Sequence, residues 1–162
     1  MDAIGCLITK YKLTDPVGAN AVGVFKNKDL KKLYDALIKE GNASLAAAYK
    51  VGATIEDLDI NDLNKATAKA DNKDILAVFA ELTKASRNHL RAFTTNLERV
   101  GETYTPQYLS AEAFTAIVTT DHERGGTICG VCPNEGQPRN PANCDGTGQG
   151  QGPRNGWRGG RN

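Results

Sequence analysis

Two short stretches carry groups able to hold a metal or move a proton: Glu56 with Asp59, and Ser86 with His89. Counting from Leu45 at about 100° per residue, Ala48, Tyr49, Gly52 and Ile55 share one arc, with Glu56 at about 20° and Asp59 at about 320° both within it. Gly52, one turn before Glu56, leaves room for a close neighbour. The same count from Ile75 puts Ser86 and His89 within about 40° of the arc formed by Leu82 and Phe93. A hydroxyl and an imidazole three residues apart are thus expected on a buried face, with Glu81, Arg87, Asn88 and Arg91 turned away from it.

A carboxylate pointing into a helical core is costly unless it is paired, protonated or bound to a metal. In helix bundles, inward Glu and Glu-x-x-His residues on facing helices build di-iron and di-manganese sites, and neutral imidazole with carboxylate suits those metals. Here the second motif is Ser-x-x-His, one carboxylate short. Three readings stay open on spacing alone. Glu56 and His89 are metal ligands oriented by Asp59 and Ser86, or they form a buried hydrogen-bonded pair, or they face solvent.

Cysteine chemistry is confined to the other end. Cys129, Cys132 and Cys144 form C-x2-C-x11-C, with His122 seven residues before Cys129. Cys-x2-Cys is half of a zinc knuckle or redox pair, and His122 is a candidate fourth ligand. Cys6 makes the cysteine count even, so disulfides, a zinc site and free thiols all remain open. Disulfides would point to an extracytoplasmic setting.

The elements that must position these groups read as helices. Ile4, Leu7, Ile8 and Tyr11 mark an amphipathic helix within residues 1–12, stopped by Thr14-Asp15-Pro16. Asn27 caps a helix with Leu30, Leu33, Tyr34, Leu37 and Ile38 on one face, ended by Gly41. Asn42 or Ser44 starts another, to roughly Asp59, and a short helix around 62–70 follows. The longest runs from Asp71–Asp74 to about Val100, stopped by Gly101, with Ile75, Val78, Phe79, Leu82, Ser86, His89, Leu90, Phe93 and Leu97 on its stripe. Ser110 caps a last helix bearing Phe114, Ile117 and Val118. No segment alternates as a strand would, so the expected class is all-α.

Of 162 residues, 20 are Lys or Arg and 19 Asp or Glu, a net charge of +1 that argues against binding nucleic acid or a membrane surface by bulk charge. No apolar run is long enough to span a bilayer. The start, MDAIGCLITKYKL, lacks the features of a signal peptide. Composition divides the chain, since eleven of seventeen Gly, four of six Pro and three of four Cys fall in the last 42 residues. Residues 1–120 are expected to form one helical domain, and residues 121–162 a Gly/Pro/Cys-rich irregular tail. Arg154, Trp157, Arg158 and Arg161 among the glycines are too few to make that tail a nucleic-acid binder, and no phosphate loop is present.

The runs Leu45-Ala-Ala-Ala-Tyr-Lys-Val-Gly-Ala-Thr-Ile-Glu-Asp-Leu-Asp-Ile60, Ser86-Arg-Asn-His-Leu-Arg-Ala-Phe93 and Tyr104-Thr-Pro-Gln-Tyr-Leu-Ser110 resemble the ferritin-like family catalogued as domain of unknown function 2202. The resemblance covers about residues 1–119. It implies a ferritin-like helical fold without an established reaction, and carries Glu56 and His89 onto ligand-like positions. Family members normally have an earlier helix pair, with a Glu-rich first helix and a Glu-x-x-His-type motif on the second. Met1-Asp2-Ala3-Ile4 looks like the stretch just after that motif, so the upstream Glu and His are missing here and the bundle is expected to be partial.

A half-set of ligands leaves three possibilities: a piece of a longer protein, a dimer sharing one site, or a site that has been lost. The apolar stripe left uncovered predicts a homo-oligomer or a helix pair supplied by another chain. The functional expectation is iron or manganese binding through Glu56 and His89. The alternative is a non-catalytic assembly protein.

Overall fold

Asn27, Ser44, Asn72 and Ser110 each carry a short polar side chain that accepts from backbone N–H groups one turn ahead, and each starts a helix. A computed structural model describes residues 2–124. In chain order its helices are α1 (Asp2–Lys10), α2 (Lys28–Gly41), α3 (Leu45–Thr67), α4 (Lys73–Arg99) and α5 (Ala111–Val118). Among the described residues there is no strand, so the class is all-α. None of the described helices is long and apolar enough to cross a membrane.

The helix stops are as local as the starts. Gly101 adopts φ +77°, while its N–H donates to Glu98 O at 3.0 Å and that of Glu102 donates to Leu97 O at 2.9 Å. This is the left-handed closure that favours glycine. α1 closes the same way on Lys12, at φ 53°, with Leu13 N donating to Ile8 O at 2.9 Å.

One expected break is absent. Residues 45–67 form a single helix rather than two pieces divided near Asp59. Nothing in Ile60-Asn61-Asp62 interrupts the backbone, and Ile60, 2% exposed, is anchored in the core.

The longest helices, α3 and α4, lie along each other and carry most of the tertiary contact; α2 packs on α3, while α1 and α5 pack on α4. Two apolar clusters result. Leu7 of α1 meets Val78, with Ile4, Ile75 and Leu82 around them. Ala53, Ile60 and Leu90 form the other centre, roofed by Tyr104, Leu109, Phe114, Ile117 and Val118.

Gly52 of α3 lies directly under the Phe93 ring of α4, since a Cβ there would stand 2.5 Å from two of its ring carbons. The room expected at Gly52 is therefore filled by an aromatic ring. α2 differs from the other long helices because, despite its amphipathic sequence, none of its residues is buried. Leu30 and Ile38 remain 51% and 49% exposed, and Leu13, Val17, Val22 and Val24 before it are exposed too.

Candidate functional site

Glu56 on α3 and His89 on α4 face each other across the hairpin, with His89 Nδ1 3.1 Å from Glu56 Oε1. The contact is a hydrogen bond when Nδ1 carries the proton, and an ion pair when the imidazole is charged. The two ends differ in exposure: the Glu56 side chain is 13% exposed and that of His89 60%. Burial pushes the Glu56 carboxyl above its ordinary value, against the opposing pull of a hydrogen bond from Ser86 and of His89. Asp59, exposed on α3 rather than turned inward as expected, is also raised, by partial desolvation and then by neighbouring Asp62. Ser86 is 7% exposed, as its place on the stripe required.

The expected burial of His89 is not observed, and the inward arc of α3 is rotated from its expected position. Its buried residues are Ala53, Asp57 and Ile60, while Leu45 and Ile55 are exposed. The count began at Leu45, which touches no core, so the whole arc was displaced by about one residue, or 100°. On α4 the buried set is Val78, Thr83, Ser86, Leu90, Thr94 and Leu97. The hydroxyls of Thr83 and Thr94 close onto carbonyls one turn back, Phe79 O at 2.8 Å and Leu90 O at 2.9 Å, which lets small polar residues serve as core.

Asp57, which sequence reasoning passed over, is the most enclosed polar residue among the described ones, with 0% exposure. Its carboxylate accepts from Tyr104 Oη at 2.9 Å and from the backbone N–H groups of Gln107, Tyr108 and Leu109 at 2.6, 3.1 and 2.8 Å. One side chain thereby fastens the Tyr-Thr-Pro-Gln-Tyr-Leu loop to α3. The Tyr104 hydroxyl is raised well above its ordinary value, chiefly by burial and also by the Asp57 carboxylate. The sequence carried no local signal for it: Asp57 is one of three acids in Glu-Asp-Leu-Asp, residues 56–59, and its inward place is invisible until the true inward face of α3 is known.

Arg87, Asn88 and Arg91 do turn away from Glu56, and they meet Glu123. Arg87 Nε and Nη2 donate to its two oxygens at 2.7 and 2.5 Å, and Arg91 Nη2 adds a bond at 3.0 Å. Asn88 bonds the Glu123 backbone at both N and O. The guanidinium of Arg87, with Arg91 adding to it, brings the Glu123 carboxyl down to about 2.

Among the described residues no group of three or more His, Cys, Asp or Glu side chains is placed to hold a metal ion. His122 is exposed on the edge of a cleft. Cys129, Cys132 and Cys144 lie outside the described residues, while Cys6 on α1 is disulfide-bonded.

The profile of a family described as an uncharacterized protein domain, DUF2202, matches residues 1–121. The uncharacterized protein MJ0754 of Methanocaldococcus jannaschii is 49% identical over 125 residues, which are 77% of this chain and 68% of that protein. The crystal structure of the hypothetical protein MJ0754 superposes with a TM-score of 0.74 at 48% identity, over 76% of this chain and 70% of that one.

Proposed function

The chain belongs to the DUF2202 family, and on that premise we propose that its α3–α4 hairpin is half of a ferritin-like metal site of the iron or manganese type. Glu56 and His89 are its ligands, and Ser86 and Asp59 orient them. The observation that carries the reading is the 3.1 Å spacing of His89 Nδ1 and Glu56 Oε1 on two different helices. With metal–ligand bonds of about 2.1 Å, two ligands at right angles stand about 3.0 Å apart. The same spacing serves a hydrogen bond, so metal content decides between them. Burial of the Glu56 carboxylate is a second support, because a nearby cation would offset its lost hydration.

Two donors fit two adjacent positions of one ion and no more. A di-metal centre takes four or more protein ligands, so the rest must come from further helices, supplied by a second copy of this chain or by another helix pair. The open side of His89 is where such ligands would approach. A metal pair held there would supply Fe(II) oxidation or activation of oxygen or peroxide. The residues of this chain bind and orient it.

The test is elemental analysis of the purified protein beside Glu56→Ala and His89→Ala variants, with mass by light scattering. Iron or manganese in simple ratio to the chain, lost in both variants, is the expected result. Metal-free protein whose assembly matches that of both variants would overturn the reading. Zinc retained in both variants would instead report a site that does not use Glu56 or His89.

A second reading, an assembly module, is favoured by α2 alone. An amphipathic helix with no buried residue and with Leu30 and Ile38 about half exposed is built to be covered by another surface.

A further inference from the structure

Beyond the end of α5 the chain does something the helical core does not require. Val118 is the last helical residue and Thr119 its cap. The next backbone bond, from Thr120 N to Ile117 O, is long at 3.3 Å. Residues 119–123, Thr-Thr-Asp-His-Glu, contain no apolar side chain, and none belongs to either core cluster. The segment is nevertheless fastened to α4. Arg91 Nη2 holds the Thr120 hydroxyl at 2.8 Å, and Glu123 is gripped at its carboxylate by Arg87 and Arg91 and at its backbone by Asn88.

Between this segment and α4 lies a cleft of about 420 Å³. Asn88, Arg91, Asn96 and Arg99 line one side, and Thr120 and His122 the other.

We propose that residues 119–123 are a strap that opens and closes over this cleft as a unit separate from the helical body, with Glu123 as its bolt. The separation follows from what holds each part. The body is held by apolar burial between α3, α4 and α5, and the strap by polar bonds to one face of α4. Losing the polar bonds exposes no core. The hinge is the turn at Thr119 and Thr120, where the helix of α5 has ended. Opening would uncover the cleft together with the donors of Arg87 and Asn88, both turned away from the Glu56–His89 face. The strap's anchors therefore lie off the Glu56–His89 face.

Hydrogen exchange on the full chain, read by mass spectrometry, tests the assignment. Charged hydrogen bonds are worth roughly a factor of ten or more each in a local opening equilibrium. Glu123→Ala is expected to speed exchange across residues 119–124 at least about tenfold, while peptides of α3 and the Asn72–Leu82 half of α4 keep their wild-type rates. Asn88→Ala, which leaves the carboxylate in place, is expected to move the same peptides by a smaller factor. Unchanged exchange at 119–124 in the alanine variant would show that Glu123 is no bolt. Exchange that accelerates equally in α3 would show that the strap is an integral part of the body. Either result overturns the proposal.

Discussion

Replacing Asp57 by alanine should be the most damaging single polar substitution in the described domain. The carboxylate is fully buried and accepts four hydrogen bonds, three of them from consecutive backbone N–H groups of Gln107, Tyr108 and Leu109. A bond to a charged acceptor contributes about 1.5–3 kcal/mol, but bonds that share one acceptor do not add. Gln107 and Tyr108 are exposed, so water can replace part of what they lose. The expected loss is therefore about 3–5 kcal/mol rather than the full sum. A domain of this size has a total stability on the order of 5–15 kcal/mol, so the melting temperature should fall by roughly 10–20 °C.

Tyr104→Phe removes only the hydroxyl bond and should cost about 1 kcal/mol. Asp57→Asn keeps one acceptor oxygen but sets an amide N–H against backbone donors, and should fall between the two. Urea unfolding of the three variants gives the order directly. If Asp57→Ala lies within about 1 kcal/mol of wild type, the loop is held by the apolar packing of Tyr104 and Leu109 and the argument fails.

Two further perturbations reach other parts of the fold. Gly52→Ala gains about 1 kcal/mol of helix propensity but drives a methyl to 2.5 Å from the Phe93 ring, an overpacking cost of about 1–3 kcal/mol. The variant should therefore be neutral to about 2 kcal/mol less stable, and in a Phe93→Leu background the same change should become stabilising. A double-mutant cycle in urea that shows stabilisation in both backgrounds would contradict the contact. Glu123 has its carboxyl at about 2 in the folded protein, against an ordinary 4.5. A lowered folded value means that its contribution is complete above the unfolded value and is lost as pH falls from about 4.5 toward 2. Wild type and Glu123→Gln should accordingly differ in stability at pH 6 and converge as pH approaches 2. A constant difference down to pH 2 would mean that the Arg87 pairing contributes nothing.

Local signals were legible and the relations between elements were not. Asn27, Ser44, Asn72, Ser110 and Gly101 mark helix ends through bonds made within a few residues, so chemical type and spacing suffice. The division of α3 near Asp59 went astray because the anchor of that stretch, Ile60, gains its role only from α4 and the loop beyond. The candidate site was legible in half. Glu56 and His89 do meet, yet the exposure of the imidazole depends on which neighbour covers α4. Asp57 and Glu123 left no local trace, because their partners lie 47–52 residues away in one case and 32–36 in the other.

By itself the sequence determined that the first 120 residues are built of helices, where most of these begin and stop, and that an acid and an imidazole stand out from the apolar pattern. These follow from backbone bonding and from a fixed 100° step. Only the tertiary structure decided the phase of that step, and with it which residues count as inside. A helix face is defined by what packs on it, and that contact lies outside the helix's own sequence.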